Sequence, residues 1–274
     1  DSGGIFPIVC TGGYGATVLN TLRRLEGGEG VEFPLTLGRD FVGTVVGAAP
    51  RAALPPGARV WGVVPPHRPG AHAQYVLVSL APERLDDLSA GGALYGALTA
   101  CAALRAAGVG RAGAPRARRA LVLGLGGVGH AAVQLLVRDS KHVRVGELGP
   151  RRDGCRRAAF DVVIDCAGLG GAGAAALPCA FGVYVTLSSP LLRRADALGL
   201  LPGAAAAAAD LLRDNMAAPP AGCAPRVRWA FFSPRKEDIE MLRRRADRGE
   251  VTAAYARAAR GHARGKLLVD FREP

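Results

Sequence analysis

Apolar runs separated by glycine and proline predict a β-rich region at the start of the chain. Three runs rich in β-branched and aromatic residues are predicted strands: residues 41–46 (FVGTVV), 60–64 (VWGVV) and 73–78 (AQYVLV). Prolines and glycine at 55–57 and 65–66 supply turns between them. Short strands broken by such turns predict a barrel or sandwich-like module that extends to about Pro82. Residues 90–107, rich in small side chains, form a predicted helix that connects this module to a second domain.

From Ala120 onward the pattern alternates between strand and helix. The predicted strands cover residues 121–123, 142–145, 161–165, 182–187 and 229–232. The predicted helices cover residues 128–138 and 237–248, and Gly249 is a good C-terminal stop for the second. Alternating strands and helices predict an α/β fold with a doubly wound parallel sheet.

The spacing predicts that this sheet lacks one unit. Only 31 residues separate Gly129 from Asp161, and they must hold the first helix and the second strand. A further βα unit needs roughly 30 residues by itself. Residues 146–160 (GELGPRRDGCRRAAF) have little helical periodicity, so no third strand and helix are expected there.

The glycine-rich stretch at residues 120–134, ALVLGLGGVGHAAVQ, has the spacing of a dinucleotide-binding turn. Gly124 allows the tight turn after the strand, Gly126 lets the backbone approach a pyrophosphate, and Gly129 lets the helix pack on the strand. The first amides of that helix attract phosphate. A chain with 38 glycines can contain such spacing by chance, but the strand before it and the helix after it favour a nucleotide site.

Composition excludes several classes of protein. The chain has 274 residues, of which 49% are hydrophobic and 21% charged, and no apolar run approaches the roughly 20 residues that span a bilayer. The formal charge of +12 is spread along the chain, and aromatic residues are only 5%, which argues against a nucleic-acid-binding module. The six cysteines include no CxxC pair, so free thiols are predicted.

Six separated stretches, in order, resemble the medium-chain dehydrogenase/reductase superfamily. Within it they are most similar to quinone-oxidoreductase-like members, a group that includes mitochondrial reticulon-interacting proteins. The stretches are GYGATVLN (13–20), FPLTLGRDFVG (33–43), PPGARVWGVVPP (55–66), the glycine-rich turn, RWAFF (228–232) and RGHARGK (260–266).

The resemblance implies two domains. A GroES-like domain would cover residues 1–100, with 250–274 returning to it, and a Rossmann nucleotide-binding domain would cover 101–249, leaving the active site in the cleft. The chain departs from the family pattern in three places: the first N-terminal strands before Gly13 are mostly absent, and the intervals 146–160 and 250–259 are short.

The resemblance also implies chemistry without zinc. Zinc alcohol dehydrogenases of this superfamily carry a GHE-type histidine ligand where this chain has Gly38, Arg39 and Asp40, and the clustered cysteines of a structural zinc site are missing. The expected reaction is hydride transfer from a reduced nicotinamide to a quinone or an activated alkene.

Site residues follow from the same motifs. Candidate catalytic residues are Tyr95, which could donate a proton, and Thr99; at i and i+4 both could equally be packing residues of the helix. The glycine-rich turn would hold the pyrophosphate, and residues of three later segments would line or close over the cofactor. The predicted cofactor-binding residues are Gly124, Gly126, Gly127, Val128, Gly129, Leu187, Ala230, Phe232, His262, Ala263 and Arg264.

The residues disagree about which nucleotide is preferred. Glu147, 18 residues after Gly129, could bind the ribose 2′-hydroxyl of NADH, whereas Arg151 or Arg152 would favour the 2′-phosphate of NADPH. The resemblance favours NADPH and leaves NADH open.

The expected protein is a zinc-free NADPH-dependent oxidoreductase of the quinone-reductase type. By resemblance it acts in the mitochondrion, with the matrix favoured, and contributes to ubiquinone biosynthesis. The alternative is a non-enzymatic dehydrogenase fold that binds a reticulon-type partner. The chain begins at Asp1, and DSGGIFPIVC resembles neither a signal peptide nor a transit helix, so either processing removed a targeting segment or the sequence is a fragment.

Overall fold

A computed structural model gives the architecture of the chain. It describes residues 5–7, 21, 24, 39–47, 55–64, 70–71, 73, 75–76, 81–82, 87–109, 119–139, 144–146, 159–217, 227–246 and 268–270. The chain divides into two compact units, one formed by residues 1–96 together with 235–274, the other by residues 97–234.

The first unit contains short antiparallel strands. Strand β1 (Ile5–Pro7) pairs with the last strand described, β10 (Leu268–Asp270). Strands β2 (Asp40–Thr44), β3 (Arg59–Val63) and β4 (Ala81–Pro82) form a second sheet in that order. Its apolar core consists of Phe41, Val45, Val60, Val64 and Ala71. The strands predicted at 41–46 and 60–64 are confirmed, each beginning one residue earlier.

The third predicted strand, at 73–78, is wrong for the residues that the structure describes there. Ala73, Tyr75 and Val76 are not in a strand. The amide of Ala73 donates to the carbonyl of Ala71 at 2.8 Å, a tight local turn that removes this amide from any sheet ladder. Val60 and Trp61 pair instead with Pro82 and Ala81 of β4.

Helix α1 (Asp87–Ala107) confirms the helix predicted at 90–107. Its later residues, from Ala97 onward, belong to the second unit. Leu98, Ala100 and Ala103 are completely buried or nearly so, which accounts for the small side chains along this segment.

The second unit is built on a five-stranded parallel sheet. The strands are β5 (Arg119–Leu123), β6 (Arg144–Gly146), β7 (Ala159–Asp165), β8 (Ala180–Thr186) and β9 (Val227–Trp229). Their spatial order is β6-β5-β7-β8-β9, and every neighbouring pair is parallel. This confirms the predicted α/β fold with a doubly wound sheet. Dinucleotide folds with six strands have the order 3-2-1-4-5-6, and the strands described here match that order without strand 3.

Helices flank this sheet. Helix α2 (Gly127–Asp139) confirms the helix predicted after the glycine-rich turn. The sequence pattern did not indicate α3 (Gly170–Ala175), α4 (Leu191–Leu198) or α5 (Leu200–Ala217). Residues 204–209 are the alanines of α5, and alanine is the best helix former. Helix α6 (Lys236–Ala246), which matches the helix predicted at 237–248 over the residues described, belongs to the first unit.

The last strand of the parallel sheet begins two residues earlier than predicted. It ends at Trp229, so residues 230–232 leave the sheet. The side-chain amide of Asn215 explains this register, because its oxygen accepts from the Val227 amide at 3.0 Å and its nitrogen donates to the Val227 carbonyl at 3.1 Å. These two bonds hold the beginning of β9 against α5.

Candidate functional site

The candidate nucleotide site lies where the strand order of the parallel sheet reverses. After β5 the chain crosses to β6 on one side, and after β7 it crosses to β8 on the other side. The loops after the carboxyl ends of β5 and β7 are therefore neighbours. The amide of Cys166, directly after β7, donates to the carbonyl of Leu123 at 2.8 Å. Open α/β sheets bind ligands outside the carboxyl ends of the strands at such a switch point.

Two glycines of the predicted turn are required by close packing. Gly124 has a φ of +83°, and a Cβ there would lie 2.9 Å from the backbone nitrogen of Ala167. A Cβ on Gly129 would overlap the carbonyl oxygen of Gly124 and would lie 3.6 Å from the Cβ of Cys166. Glycine at 124 therefore permits the turn, and glycine at 129 permits α2 to pack against it.

The other two glycines of the turn face open space. A Cβ on Gly126 or Gly127 would meet nothing within 4 Å, and both residues are exposed. The carbonyl of Gly126 accepts from the backbone amide of His130 at 2.9 Å, which closes the first turn of α2. The free first amides of a helix and its dipole attract an anion. Gly126, Gly127 and Val128 are thus placed to let a pyrophosphate approach the backbone.

A buried carboxylate, which the sequence reasoning did not single out, organises the loops beside this turn. Asp165 is 0% exposed at the carboxyl end of β7. Its Oδ1 accepts from the amides of Ala167 at 3.0 Å and Leu169 at 3.2 Å, and its Oδ2 accepts from the amide of Gly170 at 2.9 Å. Oδ2 also accepts from the hydroxyl of Thr186 at 2.8 Å. An Asp that ends a buried strand before a glycine-rich loop was the available sequence signal.

The residues predicted to contact the cofactor after β8 and β9 lie at this same edge of the sheet. The amide of Leu187 donates to the Asp165 carbonyl at 3.4 Å, and the amide of Ala230 donates to the Thr186 carbonyl at 3.0 Å. Phe232 is half-buried just beyond. The structure therefore brings Gly124–Gly129, Leu187 and Ala230 to the carboxyl edge of one sheet. Predicted residues His262, Ala263, Arg264, Glu147, Arg151 and Arg152 lie outside the described residues.

Two groups next to Asp165 remain protonated at neutral pH. Desolvation, with a smaller contribution from the Asp165 charge, raises the pKa of the half-buried Cys166 thiol to about 12. Burial is also the largest cause that raises the pKa of the Tyr184 phenol, which is completely buried, and Asp165 raises it further. Because the thiolate is the nucleophilic form of cysteine, Cys166 is a packing residue behind the glycine-rich turn.

The candidate catalytic residue Tyr95 lies in the first unit beside Arg39 and Asp40. Asp40 is 1% exposed, and its Oδ1 accepts from the backbone amide of Tyr95 at 2.7 Å. Burial raises the pKa of the Tyr95 phenol, Asp40 raises it further, and Arg39 opposes the shift. Burial lowers the pKa of Arg39. The phenol therefore keeps its proton at neutral pH, as a donor must. Thr99, one helical turn later, is 8% exposed and belongs to the second unit.

Neither a metal centre nor a membrane span is found in the part of the chain that the structure describes. Within those residues no three histidine, cysteine or carboxylate side chains are grouped so that they could hold a metal ion. No described helix has both the length and the apolar character needed to cross a bilayer. The chemistry without zinc stays a prediction.

The chain is similar to known oxidoreductases, although no family model matches it. It is 37% identical to a Drosophila melanogaster protein named "NAD(P)H oxidoreductase RTN4IP1, mitochondrial", over 95% of this chain and 75% of that protein. It is 27% identical to the Caenorhabditis elegans "Reticulon-4-interacting protein 1, mitochondrial", over 94% of this chain and 82% of that one. Among solved structures, S. aureus TarJ in complex with NADPH has a TM-score of 0.64 at 12% identity, covering 99% of this chain and 90% of the other.

The alignment with the Drosophila melanogaster protein is longer than this chain. It extends over 310 residues, whereas this chain has 274. The Drosophila protein therefore has segments without counterpart here, which agrees with a sheet that lacks a βα unit.

Proposed function

The chain belongs to the family of mitochondrial NAD(P)H oxidoreductases named RTN4IP1, and from that premise we propose that it is a zinc-free reductase of the quinone-reductase type that uses NADPH. The observation that carries the proposal is the glycine-rich turn at the switch point of the sheet. When bound, a reduced nicotinamide supplies a hydride, and the protein supplies orientation and a dry environment.

The residues of the turn fit a dinucleotide. Gly124 and Gly129 are needed for the fold of the turn itself, while Gly126 and Gly127 leave open space beside the first amides of α2. Those amides would hold the pyrophosphate. Leu187, Ala230 and Phe232, at the ends of β8 and β9, would contact the nicotinamide half of the cofactor. We propose the same role for His262, Ala263 and Arg264 from their motif.

Replacing Gly126 with leucine tests the nucleotide site directly. A Cβ at this position meets nothing within 4 Å, and the rest of the leucine side chain would occupy the approach to the backbone amides. We expect the Kd of NADPH to rise about hundredfold, equivalent to losing two hydrogen bonds to a charged phosphate. Fluorescence titration with NADPH and with NADH measures this change and also decides the nucleotide preference; tighter binding of NADH would contradict the NADPH assignment.

The same variant separates an enzyme from an interaction protein. The Caenorhabditis elegans relative is named for an interaction with a reticulon, which favours a reticulon-type partner as the alternative function. If the protein is an enzyme, Gly126→Leu loses NADPH oxidation with a soluble quinone or an activated alkene. Wild-type protein that binds a reticulon fragment but oxidises NADPH with none of these acceptors would support the alternative, and Gly126→Leu would then keep its partner.

We propose Tyr95 as the proton donor to the reduced acceptor, with Thr99 as a second candidate. The backbone amide of Tyr95 donates to the buried carboxylate of Asp40 at 2.7 Å, which anchors this turn of the helix and supports a defined position for the half-buried phenol. Tyr95→Phe keeps the ring and removes the hydroxyl. We expect kcat to fall about hundredfold, the usual contribution of general acid catalysis, with the Kd of NADPH unchanged. Thr99→Val tests the second candidate in the same assay, and a Tyr95→Phe enzyme with wild-type kcat would leave Thr99 as the candidate.

The acceptor and the location complete the proposal. A quinone or an activated alkene accepts hydride without a metal, and the family resemblance favours a role in ubiquinone biosynthesis. The relatives are named mitochondrial, and we propose the matrix as the compartment.

A further inference from the structure

We propose that Asp165, together with Thr186, positions the two loops that receive the nicotinamide half of the cofactor. This inference rests on the proposed function for its ligand, but the positioning itself is a property of this chain. Asp165 ends β7 and Thr186 ends β8, and the register places them directly opposite each other. They therefore connect the loops that leave the carboxyl edge of the sheet beside the glycine-rich turn.

The first loop is held by the carboxylate directly. Both oxygens of Asp165 accept backbone amides from the loop, at Ala167, Leu169 and Gly170. Ala167 is also the residue whose backbone approaches Gly124, at 2.9 Å from a Cβ built there. A shift of the loop after β7 therefore changes the packing of the glycine-rich turn.

The second loop is held through Thr186. Its hydroxyl donates to Asp165 at 2.8 Å and accepts from the amide of Ser188 at 3.0 Å. The backbone carbonyl of Thr186 accepts from the amide of Ala230 at 3.0 Å. The hydroxyl donates its one proton to Asp165, which leaves its lone pairs to accept the amide of Ser188. Asp165 thus orients the hydroxyl that holds Ser188, and the backbone carbonyl of Asp165 accepts the amide of Leu187 at 3.4 Å.

Chemistry requires a carboxylate at position 165. Four donors converge on its two oxygens, so an amide at this site would direct its own N–H groups at donors. The site is completely buried, where an unmatched polar group is costly. Asp165→Asn is therefore the severe variant, and Thr186→Val, which is isosteric with threonine, is the mild one. Thr186→Ser keeps the hydroxyl and serves as the rescue.

Two measurements on the full chain test the proposal: amide hydrogen exchange of the loops, and titration with NADPH. We expect Thr186→Val to increase exchange at residues 166–170 and 187–189 and to raise the Kd of NADPH about tenfold, because the substitution removes both hydrogen bonds of the hydroxyl. Thr186→Ser is expected to match the wild type in both. Asp165→Asn is expected to increase loop exchange and the Kd of NADPH more than Thr186→Val does.

Asp210→Asn is the control for a general loss of stability. Asp210 of α5 forms ion pairs with Arg194 of α4 and with Arg213 of its own helix, both at 2.9 Å. We expect it to leave loop exchange and nucleotide affinity unchanged. Wild-type exchange of both loops in Thr186→Val overturns the proposal. If Thr186→Val speeds loop exchange but the wild type binds no nucleotide, the positioning role is upheld and the proposed function is contradicted.

Discussion

Gly129→Ala is expected to unfold the nucleotide unit at a markedly lower urea concentration and to abolish NADPH binding. The new methyl group would overlap the carbonyl oxygen of Gly124, which is backbone held in a φ of +83° and cannot rotate away. Relief requires α2 to move off the sheet, and forcing an extra carbon into such a site costs about 3 kcal/mol. The first amides of α2 move with the helix, so the phosphate site is lost together with stability.

Gly126→Ala is the matched control, three residues earlier in the same turn. Its Cβ would meet nothing within 4 Å. We expect a change in the free energy of unfolding of no more than about 0.5 kcal/mol, typical of an unconstrained surface position. Urea unfolding followed by circular dichroism measures both variants. Equal midpoints for Gly129→Ala and Gly126→Ala would show that the turn does not pack as described.

Ile164→Ala is expected to have the second largest effect, a loss of about 2 to 5 kcal/mol of unfolding free energy. Ile164 is completely buried in β7, opposite Val122 on one side and Val185 on the other. Alanine leaves a cavity on the buried face of the sheet that Ile164 shares with Val122 and Val185. The residue precedes Asp165, so NADPH affinity is expected to fall as well.

Val137→Ala is the control for Ile164→Ala. Val137 lies on α2 and is 56% exposed, so removing its two methyl groups costs little buried area, and alanine improves helix propensity. We expect an unfolding midpoint at or slightly above that of the wild type. Chemical denaturation of both variants makes the comparison, and a Val137→Ala loss as large as that of Ile164→Ala would contradict the assigned burial.

The sheet and its glycine-rich turn could be predicted because local chemistry determines them. Strands β5, β7 and β8 are continuous apolar runs, which is the pattern of a parallel sheet covered on both faces. The turn at 124–129 needs glycine for two separate steric reasons, and those reasons impose a fixed spacing. The short interval after Gly129 likewise agrees with the strand order, in which no strand 3 is described next to β6.

Other elements were missed because the composition of the segment does not determine them. The segment at 73–78 has strand composition, but a local turn at Ala71 and Ala73 takes its place. Helices α4 and α5, which are separated only by Gly199, were not indicated by the sequence pattern. The start of β9 is determined by Asn215, a residue of α5 that is 12 positions away.

By itself the sequence determined the class of fold, the glycine-rich turn and the family, since each depends on residue types at fixed local spacing. Only the tertiary structure decided that Asp165 and Thr186 face each other across two strands and hold the loops at the carboxyl edge of the sheet. The physical reason is register: 21 residues separate this pair in the chain, and nothing local to either residue specifies which strand it will pair with or which donors will converge on a buried carboxylate.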